Sequence, residues 1–280
     1  MKITTLVENK SGGGLRGTKP EGFSGFYLRK EIKTVHGLSL YIETPNHKLL
    51  FDLGPDETLL SNSEALGIDL ATIDTVIISH GHYDHGGALS RFLELNQTAK
   101  IYVQRKAFER HYARVLLVNV NVGLDAAFVK HPQIVLTDGD FEIDSELRLF
   151  TVPDTAKCYS EANDTLYTDE GKDTFSHEQN LIISGDTNVL ITGCGHAGIV
   201  NIMEKAAQFK PGVCVGGYHV FNPTTKKTVS VQLLDEIAAE LSKYDARYYT
   251  CHCTGEKAFR YLSERVPDMA YFTCGDVLEV

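Results

Sequence analysis

No stretch of this 280-residue sequence is apolar for long enough to cross a bilayer. The opening residues, MKITTLVENK, contain no apolar core of the kind that directs secretion. We therefore expect a soluble, cytoplasmic protein with no membrane partner. Positive charge is also scarce. The formal net charge is −10 and no basic patch stands out, which argues against nucleic acid as a partner. The six cysteines (158, 194, 214, 251, 253 and 274) form no disulfide-like framework for so long a chain, so reduced thiols are expected. The glycine-rich segment ENKSGGGLRGTKPEG (8–22) lacks the Gly-Lys-Ser/Thr ending of a phosphate loop and reads as a flexible loop. No repeat period, low-complexity tract or linker is visible. With 42% apolar residues, a sizeable core is within reach, and we expect one domain spanning 1–280.

What the chain does have is an alternation of strands and helices. LSLYIET and KLLFDLG, joined by PNH, read as a hairpin, and TVIIS (75–79) is an unbroken apolar strand of the fully buried kind. Leu59–Leu66, ALSRFLEL and RKAFERHYARVL read as helices. Short β pieces follow from His131 to Val152. The polar stretch from Pro153 to Glu178 reads as a long functional loop. The second half alternates again: strands NLIIS, NVLITG, GVCVGG, ARYYTCHC and MAYFTC, with amphipathic helices between the later ones. Two β-rich halves, each with its own helices, fit a sandwich of two sheets with helices outside.

Ser79–Gly87, SHGHYDHGG, places three histidines and an aspartate directly after the buried strand. In extended geometry His80 and His82 point the same way. Asp84 and His85 follow the turn and address a second point nearby. Imidazole with carboxylate suits zinc, and also iron or manganese. Four side chains cannot complete two sites, so further donors must come from elsewhere. The candidates all sit just after strands: Cys194 and His196, Tyr218 and His219, and Cys251, His252 and Cys253. His47, His111 and His131 read as solvated. Thr254 and Gly255 precede a helix whose first-turn N–H groups offer an anion site, with helix capping by Thr254 as the plainer alternative.

HGHYDHGG resembles the HxHxDH signature of the metallo-β-lactamase fold superfamily. HGLSLYIET, LLFDLG, LITGCGHAGIVN, GGYH and HCTG together look like its 7,8-dihydropterin-6-methyl-4-(β-D-ribofuranosyl)aminobenzene-5′-phosphate synthase-like branch. The resemblance runs from about His36 to Gly255. It implies an α/β fold, a four-layer αββα sandwich of two mixed sheets, with a dinuclear site at one edge. It also implies one or two divalent ions, most simply zinc. His80, His82 and His196 would hold the first ion, and Asp84, His85 and His252 the second. Asp52, closing LLFDLG, would orient a ligating imidazole, and His36 would line the pocket. His219 is open between substrate contact, proton shuttle and ligand. One departure matters: where superfamily hydrolases carry a bridging aspartate, this chain has Cys194, either a thiolate bridge or a small packed residue.

The resemblance makes a metal-dependent hydrolase or transferase the leading expectation. Its substrate would be small, anionic and, as the branch name implies, phosphorylated, with Asp84 and His219 catalytic and Tyr159 and Tyr167 as stacking surfaces for a pterin-like ring. A phosphodiesterase or other small-molecule hydrolase is the close alternative, and a non-catalytic metal or ligand binder is the alternative of another class. A redox di-iron enzyme is disfavoured, because that branch carries Glu where this chain has His82.

Overall fold

In a computed structural model the described residues are 1–11, 23–24, 32–153 and 157–280. Residues 12–22 of the glycine-rich segment and 154–156 of the polar stretch lie outside them. Two sheets carry the architecture. The first has eight strands in the order Phe23–Ser24, Val277–Glu279, Lys2–Val7, Ser39–Glu43, Lys48–Phe51, Thr75–Ile78, Lys100–Gln104 and Ile134–Thr137. The second has seven: Phe141–Glu142, Leu147–Phe150, Asn180–Ile183, Val189–Ile191, Val213–Gly216, Arg247–Thr250 and Met269–Tyr271. Each sheet is mixed, antiparallel at one end and parallel at the other.

Strand alternation builds three apolar layers from these sheets. In Lys48–Phe51, Leu49 and Phe51 face the space between the sheets, while Leu50 faces outward. In Thr75–Ile78, Ile77 faces in, and Val76 and Ile78 face out. Both faces are covered, which is why this strand reads as one apolar run. Between the sheets, Ile3, Leu40, Phe51 and Ile77 meet Leu149, Leu181, Ile191, Val215 and Tyr249. Helices Thr58–Leu66 and Leu89–Leu95 cover the outer face of the first sheet through Leu59, Leu89 and Phe92. Helices Ile199–Ala206, Val231–Leu241 and Glu256–Ser263 cover the second through Ile202, Ile237 and Phe259. The expected αββα sandwich is the observed one. No described helix is long and apolar enough to cross a membrane.

Two local expectations fail. RKAFERHYARVL is not a helix: Arg105–Phe108 is a single 3₁₀ turn, and His111–Val115 is a strand. That strand pairs with Val118–Asn121 and with Leu166–Thr168 in a small separate sheet. Cross-strand pairing of HYARV overrides a helix-like spacing that no packing partner supports. The polar stretch 153–178 is likewise structured where described, with a 3₁₀ turn Glu161–Thr165 and strands Leu166–Thr168 and Gly171–Lys172.

His47 is not simply solvated. Its Nδ1 lies 2.9 Å from Asp74 Oδ1 and its Nε2 2.9 Å from Asp144 Oδ2, joining the two sheets far from the histidine cluster. Partial burial opposes its charge, but the hydrogen bond to Asp74 and the charges of Asp74 and Asp144 outweigh this and raise its pKa. A raised histidine pKa stabilises the fold fully below the unfolded value of roughly 6.5. The contribution is lost as pH rises through the folded value. For a partly exposed pair the loss is at most about 1 kcal/mol. Thermal melts at pH 5.5 and 8.5 check this: His47→Gln should lower the melting temperature at the acid pH and leave the alkaline value nearly unchanged.

Candidate metal centre

The parallel strands of both sheets end at the same edge of the sandwich, where open α/β sheets place their ligands. Strand Lys48–Phe51 ends at Asp52, Thr75–Ile78 at Ser79 and His80, Val189–Ile191 before Cys194, Val213–Gly216 before His219, and Arg247–Thr250 before His252. Gln179 ties the sheets together there. Its Nε2 donates to the carbonyls of Ile78 (2.8 Å) and Tyr102 (3.1 Å), and its Oε1 accepts from the Thr137 hydroxyl at 2.7 Å. Gly193 is required by close approach, since a Cβ there would lie 2.1 Å from Ser79 Oγ.

Three imidazoles form the first group. His80 Nε2 lies 3.0 Å from His82 Nδ1, and the His196 ring sits 4.9 Å from that of His80 and 5.0 Å from that of His82. The far nitrogens are committed elsewhere. Ser79 Oγ donates its proton to Asp52 Oδ2 (2.8 Å), so it accepts from His80 Nδ1 at 2.8 Å. Asn163 Oδ1 accepts from His196 Nδ1 at 2.9 Å. Both arrangements leave Nε2 as the lone-pair nitrogen. His196 Nε2 is buried and has no hydrogen-bond partner, as expected of an atom that waits for a cation. Burial, and then the neighbouring imidazoles, hold all three pKa values well below the usual range. The rings are neutral at pH 7, the state in which an imidazole can bind a metal ion.

The second group adjoins it. Asp84 Oδ2 is 3.3 Å from His252 Nε2 and 3.8 Å from His85 Nε2, and the two Nε2 atoms are 3.2 Å apart. Their Nδ1 atoms face Asp52 Oδ2 (2.6 Å) and Asn9 Oδ1 (3.0 Å). Burial opposes ionisation of Asp84, but His85 and His252 outweigh it and keep its pKa well below the carboxylate range. Burial likewise opposes charge on His85, yet Asp52 and Asp84 raise its pKa to about 9. This nest of acceptors therefore calls for a cation. A proton fills that need in part, and a divalent ion would displace it. The donor set thus fits two ions with three protein ligands each.

Cys194 stands between the groups. Its Sγ is 3.2 Å from His85 Nε2, and it lies within 4.8 Å of the ligand atoms of His80 and His196 on one side and of His85 and His252 on the other. Burial pushes its thiol pKa well above the usual range, a setting that a bound cation reverses. Asp52, His219 and His252 all adopt left-handed backbone, with φ of 63°, 42° and 50°. Non-glycine residues rarely do so, and such strain concentrates at functional sites.

A cavity of about 220 Å³ opens onto both groups. His36 lines it, with Nε2 3.4 Å from Asp84 Oδ2, and burial lowers its pKa to about 4. His219 lines it too. Its ring centroid is 4.0 Å from that of His196, and both its ring nitrogens are buried without partners. The rest of the wall is largely apolar, with Ala113, Val122, Leu166 and Pro223.

Comparison with known proteins agrees with this fold. The sequence pattern of the Metallo-beta-lactamase superfamily matches residues 32–157. A crystal structure of Tm1679, described as a metal-dependent hydrolase of the beta-lactamase superfamily, superposes with a TM-score of 0.78 over 100% of this chain and 99% of that one, at 24% identity. The chain has the metallo-beta-lactamase fold. A diphosphatase from the PhnP family shares that fold at a TM-score of 0.54 and 13% identity, covering 100% of this chain and 96% of its own. Among curated proteins of Methanocaldococcus jannaschii, the chain is 28% identical over 242 residues to uncharacterized protein MJ0448, covering 84% of this chain and 90% of that protein. It is 26% identical over 290 residues to the 7,8-dihydropterin-6-methyl-4-(beta-D-ribofuranosyl)-aminobenzene-5′-phosphate synthase, covering 94% and 95%. The superfamily resemblance read from HGHYDHGG is thereby borne out.

Within this metallo-beta-lactamase fold, His80, His82, Asp84, His85, His196 and His252 come together as two triads, with Asp52 against His85, Cys194 between them and His36 and His219 on the cavity wall. The anion site at Thr254 and Gly255 is not seen. Thr254 is fully buried, and its hydroxyl accepts from the Tyr218 N–H at 3.0 Å and meets Thr250 Oγ1 at 2.5 Å. Neither residue lines the cavity, and Thr254 does not cap the following helix, whose first residue Glu256 carries negative charge. The stacking role for Tyr159 and Tyr167 also fails. Neither lines the cavity, and the Arg114 guanidinium covers the Tyr167 ring at 3.7 Å.

Several supporting residues have no sequence signal. Glu178 accepts from the N–H groups of His196 (2.7 Å) and Ala197 (2.9 Å), and burial raises its pKa to about 7 against those bonds. Glu8 accepts from the His252 N–H at 2.7 Å and from the Tyr271 hydroxyl at 3.0 Å. Asn9 and Asn163 brace the imidazoles of His252 and His196. His111, read as solvated, is buried, as are Asp173 and His177.

Proposed function

We propose that the chain is a metal-dependent hydrolase or transferase acting on a small phosphorylated substrate, with two divalent ions, most simply zinc. The observation that carries this reading is the pair of three-donor groups facing one cavity with Cys194 between them. His80, His82 and His196 would hold one ion, and Asp84, His85 and His252 the other, with Cys194 as a thiolate bridge. Bound there, such ions supply Lewis acidity to a phosphoryl oxygen and lower the pKa of water to roughly 7. Asp84 orients the nucleophile, being the carboxylate that lines the cavity. His219 holds or moves a proton at an unpartnered ring nitrogen. The apolar wall of Ala113, Val122, Leu166 and Pro223 keeps bulk water from the reacting group. The likeness to the dihydropterin synthase favours transfer with departure of a diphosphate over simple hydrolysis. The core shared by the two sheets supports one domain, and six free cysteines, five of them buried, support a reduced, cytoplasmic setting.

The test is metal analysis of the purified protein, then assays with a phosphodiester, with pyrophosphate, and with a dihydropterin diphosphate plus ribosylaminobenzene phosphate. One or two ions per chain are expected. Turnover should disappear with chelation and return with zinc, manganese or iron. Ions held without turnover in any metal form would replace this reading with that of a metal or ligand binder.

A further inference from the structure

We propose that His177 and Asp173, with His111, are positioning residues that set the spacing of His80 and His82 by holding the peptide between them. The inference rests on the di-metal reading above. Three groups behind His82 form a buried cluster: His111 and His177 are 1% exposed and Asp173 is 8% exposed. His177 Nδ1 accepts the Gly81 N–H at 2.9 Å. That bond fixes the tautomer, so His177 Nε2 carries the proton and donates it to Asp173 Oδ2 at 3.1 Å. Asp173 Oδ2 also meets His111 Nδ1 at 3.2 Å, and His111 Nε2 meets the Lys106 carbonyl at 3.2 Å.

Together with His82, these residues have the composition of a third cation site, with ligand atoms within 4.8 Å of one another. The hydrogen bonds argue against that. His177 Nδ1 already spends its lone pair on Gly81, so an ion on Nε2 would require an imidazolate. Both His111 nitrogens are already within hydrogen-bond reach of an oxygen, Nδ1 of Asp173 and Nε2 of the Lys106 carbonyl. The same bonds suit a clamp. Gly81 sits so close to the cluster that a Cβ would lie 2.6 Å from both the Ala107 carbonyl and His111 Nε2. An Asp173 carboxylate oxygen also lies within 4.8 Å of a His82 ring nitrogen, and His82 Nε2 is buried without a partner. When His82 ligates through Nδ1, Nε2 must carry the proton, and Asp173 is the carboxylate beside it. The network thus fixes the Gly81 peptide and leans on the His82 ring, the two determinants of ligand spacing at the first ion. Groups that orient ligands in this way typically contribute 10–100-fold to metal affinity.

Hydrogen–deuterium exchange on the metal-free protein and competitive chelator titration of each ion test this. In His177→Ala, the Gly81 amide should exchange at least about tenfold faster, because its only acceptor among the described residues is gone. The first ion should bind about 10–100-fold more weakly, with the second unchanged. His177→Asn, whose Oδ1 replaces Nδ1 as acceptor, should recover most of the Gly81 protection. Asp173→Asn should weaken the first ion selectively. Unchanged Gly81 exchange in His177→Ala would overturn the proposal. So would equal weakening of both ions with a lower melting temperature, which marks a merely structural role. A third ion in the wild type that Asp173→Asn loses would overturn it in favour of a cation site. A wild type that took up no ion would sink the di-metal reading, whereas Gly81 exchange on the metal-free protein judges the clamp separately.

Discussion

Replacing His82 with alanine is expected to remove one metal ion per chain and to lower turnover by about a thousandfold or more. The magnitude follows from chemistry, since Lewis-acid stabilisation of several kcal/mol converts to about a factor of ten per 1.4 kcal/mol. The choice of residue follows from geometry. His82 Nδ1 is the nitrogen facing His80 Nε2 at 3.0 Å, so no other side chain replaces it in that triad. The second triad, Asp84, His85 and His252, takes no atom from His82, so its ion should be retained. Metal analysis and turnover on the same sample check both statements, with circular dichroism to show that the variant is folded. Retained activity with one ion missing would dismiss the two-ion mechanism.

The second large effect is expected at Asp52. This carboxylate is fully buried and accepts from the Ser79 N–H (2.7 Å), the Ser79 hydroxyl (2.8 Å) and His85 Nδ1 (2.6 Å). Asp52→Ala strands all three donors and should cost about 3–5 kcal/mol of stability, as breaking a buried charged pair does. It also places alanine at a φ of 63°, which only glycine, asparagine and aspartate adopt readily. Asp52→Asn keeps the backbone preference and one oxygen acceptor but loses the charge facing His85. It should be milder in denaturant titration yet still bind the second ion about 10–100-fold more weakly. Equal metal affinity in Asp52→Asn and wild type would show that the carboxylate only packs.

Much of this was legible in the residues because the relevant signals are local. TVIIS ends in SHGHYDHGG, and both the strand and its four donors lie within a dozen positions. The rule that ligands follow strands made His196 and His252 candidates among several, and the family resemblance singled them out. Asp52, closing LLFDLG, came with the family resemblance. The supporting residues were not legible, because their roles depend on contacts across the chain. His177 reaches Gly81 over 96 positions, and Glu8 reaches His252 over 244. Nothing in SHEQN or VENK announces that partner. The errors have the same origin. HYARV carries helix-like spacing and becomes a strand because Val118–Asn121 and Leu166–Thr168 pair with it. Thr254 has the sequence context of an exposed cap, and Tyr218 and Thr250 enclose it.

The two triads have one more consequence, which concerns assembly. In the first triad, His80 and His82 belong to the first sheet, while His196 follows a strand of the second. The other triad divides in the same way, with Asp84 and His85 from one sheet and His252 from the other. Neither half of the sandwich could therefore capture an ion at full strength by itself, although the superfamily pattern matches only residues 32–157. On the proposed two-ion reading, each ion would act as a rivet between two separately built layers. Binding stabilises the joined state over any state in which the sheets have parted, by RT ln(1 + [M]/Kd). On that reading, an ion bound by both layers would resist their separation, so the cation that serves the chemistry would also hold the fold together.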